Sequence, residues 1–320
     1  MGRFAGGANT KGTLNTAVGS QALSSNTTAP NNSAFGYASL VSNTTGANNT
    51  ALGHSALYNN TTASFNTAVG YQAAYSTTTG AGGNGAFGSQ SLFSNTTGDN
   101  NVAIAGYRAM YANTTGSNNV AMGNYCLTAN TTGANNVAMG YSALGSNTTA
   151  SYNTAVGYQA GYSNTVGTRL TLMGYTAGYS NTGNYNAFYG SYSGVTNTTG
   201  SQNVFIGDYA GNSNATGSFS TYVGQSAGQA TTGNNNSFFG MGSGSSVTSG
   251  TKNTILGSYN GNQGGLDIRT LSNYLVLSDG DGNPRIYHNG TTVVIPSLPT
   301  SSAGLPTGGL YVVAGALMVA

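Results

Sequence analysis

Charged side chains are nearly missing from this 320-residue chain: they make up 4% of it, and there is no glutamate. The only acids are Asp99, Asp208, Asp267, Asp279 and Asp281, and the two histidines, His54 and His288, lie far apart. General acid–base chemistry has almost nothing to work with, so a hydrolase of any common type is not expected. The basic residues Arg3, Lys11, Arg108, Arg169, Lys252, Arg269 and Arg285 are scattered singly, for a net charge of +2. Without a basic stripe to follow a phosphate backbone, nucleic acid is not an expected partner. Cys126 is the single cysteine. It can form no disulfide within the chain, a metal cluster is excluded, and no cofactor is expected. No stretch approaches the roughly 20 apolar residues of a membrane helix, so membrane insertion is not expected. The longest candidate, Leu310 to Ala320, contains Gly315, and no run of signal-peptide length follows Met1.

What the chain has instead is glycine, 51 residues of it, and much of that glycine is periodic. Gly19, Gly36, Gly53, Gly70, Gly88, Gly106, Gly123, Gly140, Gly157, Gly174, Gly190, Gly207, Gly224, Gly240 and Gly257 mark copies of one short phrase, spaced 16 to 18 residues apart. So tight a period means one small unit stacked on itself, each too small to bury a core alone. Strictly periodic apolar positions also argue against disorder, despite the abundance of Asn, Thr, Ser and Gly.

With the marker glycine as position 0, the unit reads as two short strands and two corners. Asn-x-Ala-apolar-Gly is one strand, Tyr-x-Ala-Leu a second, and Asn-Thr-Thr the return turn. Gly and Asn supply left-handed backbone at the corners. The fold class expected is all-β, a parallel β-solenoid (β-roll) of about fifteen 17-residue coils. At about 4.8 Å per coil it would form a rod on the order of 70 Å long.

Three columns matter. Asparagine stands at position −4 in most units, from Asn15 to Asn253, where stacked amides can bond coil to coil. An apolar residue stands at −1, for example Val18, Phe35, Leu52, Met139 and Phe239, and is expected to be the core column. Positions −2 and +4 exchange size. The first nine units carry Ala at −2 (Ala17 to Ala155), and the last six carry Leu172, Phe188, Phe205, Tyr222, Phe238 and Ile255. At +4 the first eight carry mostly Leu, from Leu23 to Leu144, and the last seven only glycine, from Gly161 to Gly261. Conserved interior volume implies that the two columns share one space, the +4 residue of one coil packing near the −2 residue of the next.

This gives a lead-in at 1–14, a solenoid segment with Ala/Leu columns at 15–160, a second with bulky/Gly columns at 161–265, a small β cap at 266–296 and an extended tail with a final strand at 297–320. The sixth unit has an extra residue around Ala105 and Gly106, read as a β-bulge, and Arg108 beside it is expected to face solvent. Asp279, Asp281 and Asn283 imitate the start of a calcium loop, but Pro284 and Gly290 stand where its glycine and glutamate belong, so a tight turn is expected. The Leu305–Gly309 string lacks the spacing of a sortase signal, and the Asn-x-Thr triplets arise from the repeat itself. One coil encloses little apolar volume, and a homotrimer around an axis would bury the exposed sheet faces together.

The Asn-x-Ala-apolar-Gly units, over roughly residues 15 to 261, resemble the head repeats of trimeric autotransporter adhesins. That resemblance implies a left-handed β-roll of three chains. The wording Asn-Thr-Ala-Val-Gly-Tyr-Gln-Ala at 66–73 and 153–160 is similar to repeats in bacteriophage tail fibres and related virion proteins. Leu275–Arg285 and Leu298–Tyr311 are similar to segments that follow such repeats and end phage structural proteins. This second resemblance implies a non-enzymatic fibre component of a virion, with other virion or fibre proteins at its ends. A bacterial or archaeal extracellular adhesin head or filament subunit, at the cell surface, is the alternative.

If the fibre attaches to a host, Tyr37, Tyr71, Tyr107, Tyr141, Tyr158 and Tyr175, at position +1, are the candidate surface for a glycan. Ordinary stacking along a ladder is the simpler role for the same residues. Ice recognition would want flat strands of threonine, whereas Thr27, Thr28, Thr44, Thr45, Thr114, Thr115, Thr131 and Thr132 sit beside Gly and Asn corners. A glycan depolymerase would need paired carboxylates, and the nearest pair, Asp279 and Asp281, lies in a glycine-rich turn.

Overall fold

Every coil begins with the same local event. Three residues form a short strand, ending at position −1 in all but the sixth coil (Val102–Ile104), and a marker glycine such as Gly36 then turns the chain with a φ that only glycine adopts without strain, +132°. A side chain there is also blocked by its neighbour: a Cβ on Gly36 would lie 2.4 Å from the carbonyl oxygen of Gly53 in the next coil. The computed structural model describes residues 2–80, 82–104 and 106–320. Within them the fold is an all-β parallel solenoid with no helix. The fifteen coil strands run from Thr16–Val18 to Thr254–Leu256 and pair in parallel and in register, as in Thr16↔Ser33, Ala17↔Ala34 and Val18↔Phe35.

Each coil has one strand, not two. The Tyr-x-Ala-Leu segment is a turn in which positions +2 and +4 take left-handed backbone, as at Gln21 (φ 63°) and Leu23 (φ 50°). Ala22 and Leu23 are both fully enclosed, and adjacent side chains cannot face the same side of a strand. The backbone still bonds coil to coil through this turn, N–H groups donating alternately forward (Leu40 to the Ala56 carbonyl) and backward (Ala38 to the Ser20 carbonyl).

Strand alternation also corrects the expected core column. The buried residue of a coil strand is its central one, at −2 in Ala34, Ala138 and Phe238, and the −1 side chains face outward. The interior is lined by position −2, the small residues at +3 and position +4. Volume exchange between −2 and +4 is visible directly, but within one coil more than between coils. A Cβ on Gly211 would lie 2.5 Å from the ring of Phe205, and one on Gly194 2.5 Å from Phe188, both in the same coil; only at Gly161 is the nearest atom, Leu172 Cδ1 at 2.7 Å, in the next. The large side chains stack down the interior, Phe188 on Phe205 at 4.7 Å, Phe205 on Tyr222 at 4.7 Å and Tyr222 on Phe238 at 5.1 Å.

Two amide ladders bond coil to coil, the second in two runs, up to Asn60 and from Asn95 to Asn164. In the expected one, Asn101 Oδ1 accepts from the backbone N–H of Asn119 at 3.0 Å and from its Nδ2 at 3.1 Å. The second is built from the asparagine of Asn-Thr-Thr, where Asn113, Asn130 and Asn147 are fully buried and linked Nδ2 to Oδ1 at 2.8 Å per step. The ladders meet on a shared carbonyl, as where Gly133 O accepts from both Asn119 and Asn130.

The residues before Asn15 continue the stack. Gly2 lies 17 positions before Gly19, Gly6 N–H donates to Ala22 O, and Asn9 Oδ1 accepts from Asn26. At the other end Leu275–Ser278 adds a parallel strand to Thr254–Leu256, then pairs antiparallel with Pro284–His288, which pairs with Val293–Val294. The tail ends in two strands, Leu310–Val313 and Ala316–Val319, paired as a hairpin. The expected bulge centres on Ala105, outside the described residues.

Candidate surface-binding faces

Three outer faces carry side chains able to meet a partner. The first is the strand face. Its −3 positions are mostly Thr, Ser and Val, and its −1 positions form an apolar stripe in which Val18, Phe35, Leu52, Phe87, Met139, Ile206, Phe239 and Leu256 are 36–56% exposed. In-register pairing places one such side chain on each coil. At about 4.8 Å per coil and about 10 Å across two outward positions, the strip covers on the order of 700 Å², close to one partner's share of a stable interface.

The second face is aromatic. The six tyrosines read from the sequence are 40–50% exposed, but they do not form one row. Tyr37 and Tyr71 flank His54 at 5.0 and 5.5 Å. Tyr141, Tyr158 and Tyr175 stack at 5.5 and 5.1 Å. Tyr107 meets Tyr125 edge-on at 5.6 Å. The Tyr192 and Tyr209 rings, from position +2, extend the row by stacking on each other at 4.9 Å.

Sequence reasoning missed a second aromatic column at position +5. Tyr58, Tyr75, Phe93 and Tyr111 stack at 5.0, 5.1 and 5.0 Å, and Tyr162 on Tyr179 at 5.3 Å. The signal was available, since the same marker spacing carries a ring at +5 in six units. Arg108 joins the two columns. Its guanidinium lies 4.9 Å from the Tyr107 ring and 4.8 Å from the Tyr111 ring, and its Nε donates to Gln90. Arg169 does the same on a third face, over Tyr152 and Tyr185. Both cations are thus held on aromatic surfaces by attraction to the ring faces.

Two reactive groups elsewhere, Cys126 and Asp279, are committed to structure. Cys126 is enclosed, its thiol directed at the Gly140 carbonyl, and burial pushes its pKa up to about 11. Asp279 accepts from the backbone N–H groups of Asn283 at 2.8 Å and Asp281 at 3.1 Å and from Arg285. The Asn283 N–H, then Arg285 and the Asn283 side chain, hold its carboxyl below the ordinary carboxylate range. Among the described residues no three His, Cys or Asp side chains cluster as metal ligands.

Comparison with known proteins returned no match to a family model, a curated protein or a solved structure.

Proposed function

We propose that this chain is a non-enzymatic structural fibre protein of a phage or phage-like particle, assembled as a homotrimer, with its aromatic face available for attachment to a host surface glycan. The observation that carries the reading is the apolar stripe formed by the last side chain of each coil strand, from Val18 to Leu256, which is too long and too regular for an isolated soluble rod. Three parallel copies turning this face to a common axis would cover it and leave the aromatic columns outside. Chemistry is not the purpose of such a surface, since its side chains are aliphatic, aromatic, hydroxyl and amide groups. Antibodies raised against the purified chain should label fibres on particles by immunogold electron microscopy. Label confined to extracellular material without particles would sink the virion reading and favour the filament-subunit alternative.

A further inference from the structure

The aromatic column at position +5 is interrupted once, between Tyr111 and Tyr162, where Thr128 and Gly145 stand in place of rings. The two missing rings leave a surface notch of about 250 Å³ lined by Tyr125, Thr128, Tyr141, Ser142 and Tyr162. We propose that this notch is a subsite for one neutral pyranose ring of a glycan. The inference rests on the attachment half of the reading above and gives it a location.

Three features of the notch point to a sugar. Its walls are rings in different orientations: Tyr125 is tilted 72° to Tyr141 with centroids 5.9 Å apart, while Tyr141 lies flat against Tyr158. Rings set this way can meet the C–H face of a pyranose and one of its edges together. Its floor is polar. Ser142 is only 6% exposed, and its hydroxyl and that of Thr128 reach the notch without a side-chain hydrogen bond to the described residues. A hydroxyl that faces the notch without a protein partner is one that a ligand hydroxyl can bond in place of water. Finally, the opening depends on Gly145, where a Cβ would lie 3.0 Å from the Tyr162 ring. The lining residues carry no carboxylate, ammonium or guanidinium, so the ligand is neutral. The gluco configuration fits best, because its equatorial hydroxyls leave C–H bonds on both faces for the tyrosines.

The test uses the full chain, with cellotriose and chitotriose as probes, read by saturation-transfer NMR and calorimetric titration. Binding of at least one probe is expected, with transfer strongest at the C–H protons of a single ring. Thr128→Tyr supplies the ring that Tyr58 and Tyr75 provide in their own coils and should abolish binding, whereas Tyr162→Ala should weaken it about tenfold. Val41→Tyr, the same change at +5 where no notch exists, should leave binding intact and shows that an added ring is tolerated. Absence of binding by both probes, or equal binding to wild type and Thr128→Tyr, overturns the subsite. If Thr128→Tyr loses binding while the wild-type chain does not adhere to intact cells, the subsite stands and attachment is removed from the proposed function.

Discussion

At the residue scale, the chain uses its polar groups to tie coils together and leaves few of them reactive. Cys126 shows this most simply. Its slot elsewhere holds Ala or Ser, and the buried thiol, raised to about 11, carries little thiolate at neutral pH. We expect no reaction with a disulfide reagent at pH 8 in the native state and one thiol per chain after denaturation; rapid native labelling would contradict the placement. Tyr222 is a second case. Its ring is stacked between Phe205 and Phe238, its hydroxyl has no hydrogen-bond partner among the described residues, and burial pushes the phenol up to about 12. Because the folded-state pKa is raised, the stability linked to this group is intact below the ordinary phenol value of about 10 and is lost as pH rises from there toward about 12. Tyr222→Phe should remove that part of the alkaline loss, measured by thermal denaturation from pH 8 to 12, and be neutral or stabilising by about 1 kcal/mol. The −4 asparagine ladder was legible because a single residue type recurs at one spacing. The second ladder was not, because Asn-Thr-Thr is also what an exposed turn looks like, and only the coil's closure shows that its asparagine points inward.

At the element scale, periodicity located the strands but not the number per coil. Asn-x-Ala-apolar-Gly folded as read, whereas Tyr-x-Ala-Leu became a turn because its Ala and Leu must both face the interior. The same logic moved the core from −1 to −2. Alternation allows only one of those positions inside, and the size exchange with +4 already identified −2 as the one sharing enclosed space. That sharing can be tested as a cycle. Phe205→Ala alone should cost about 3–5 kcal/mol through the cavity it leaves. Gly211→Leu alone should cost about 1–3 kcal/mol through overpacking. The double variant, which restores the Ala/Leu pairing of the first segment in one coil, should be more stable than the sum of the single changes by more than about 1 kcal/mol in denaturant titrations. Additive losses would show that the two side chains do not compete for one volume. Left-handed backbone at +4 is no obstacle, since Leu40, Leu57 and Leu92 already adopt it.

At the scale of the whole molecule, a rod with a core of alanine, leucine and stacked rings encloses little apolar volume per coil and leaves a continuous apolar face outside. The rod was readable from the marker glycines alone. The surface was less so, because which side of a three-residue strand faces outward is decided by what fills the interior. Self-association through the strand face is the central claim, and the molar mass of the purified chain by light scattering tests it most directly, with a Phe35→Lys, Phe87→Lys, Met139→Lys variant alongside. We expect three times 32.0 kDa for the wild type, in short uniform rods, and a shift toward single chains for the variant, whose substitutions lie outside the core. A wild-type mass of one chain, unchanged in the variant, would contradict it.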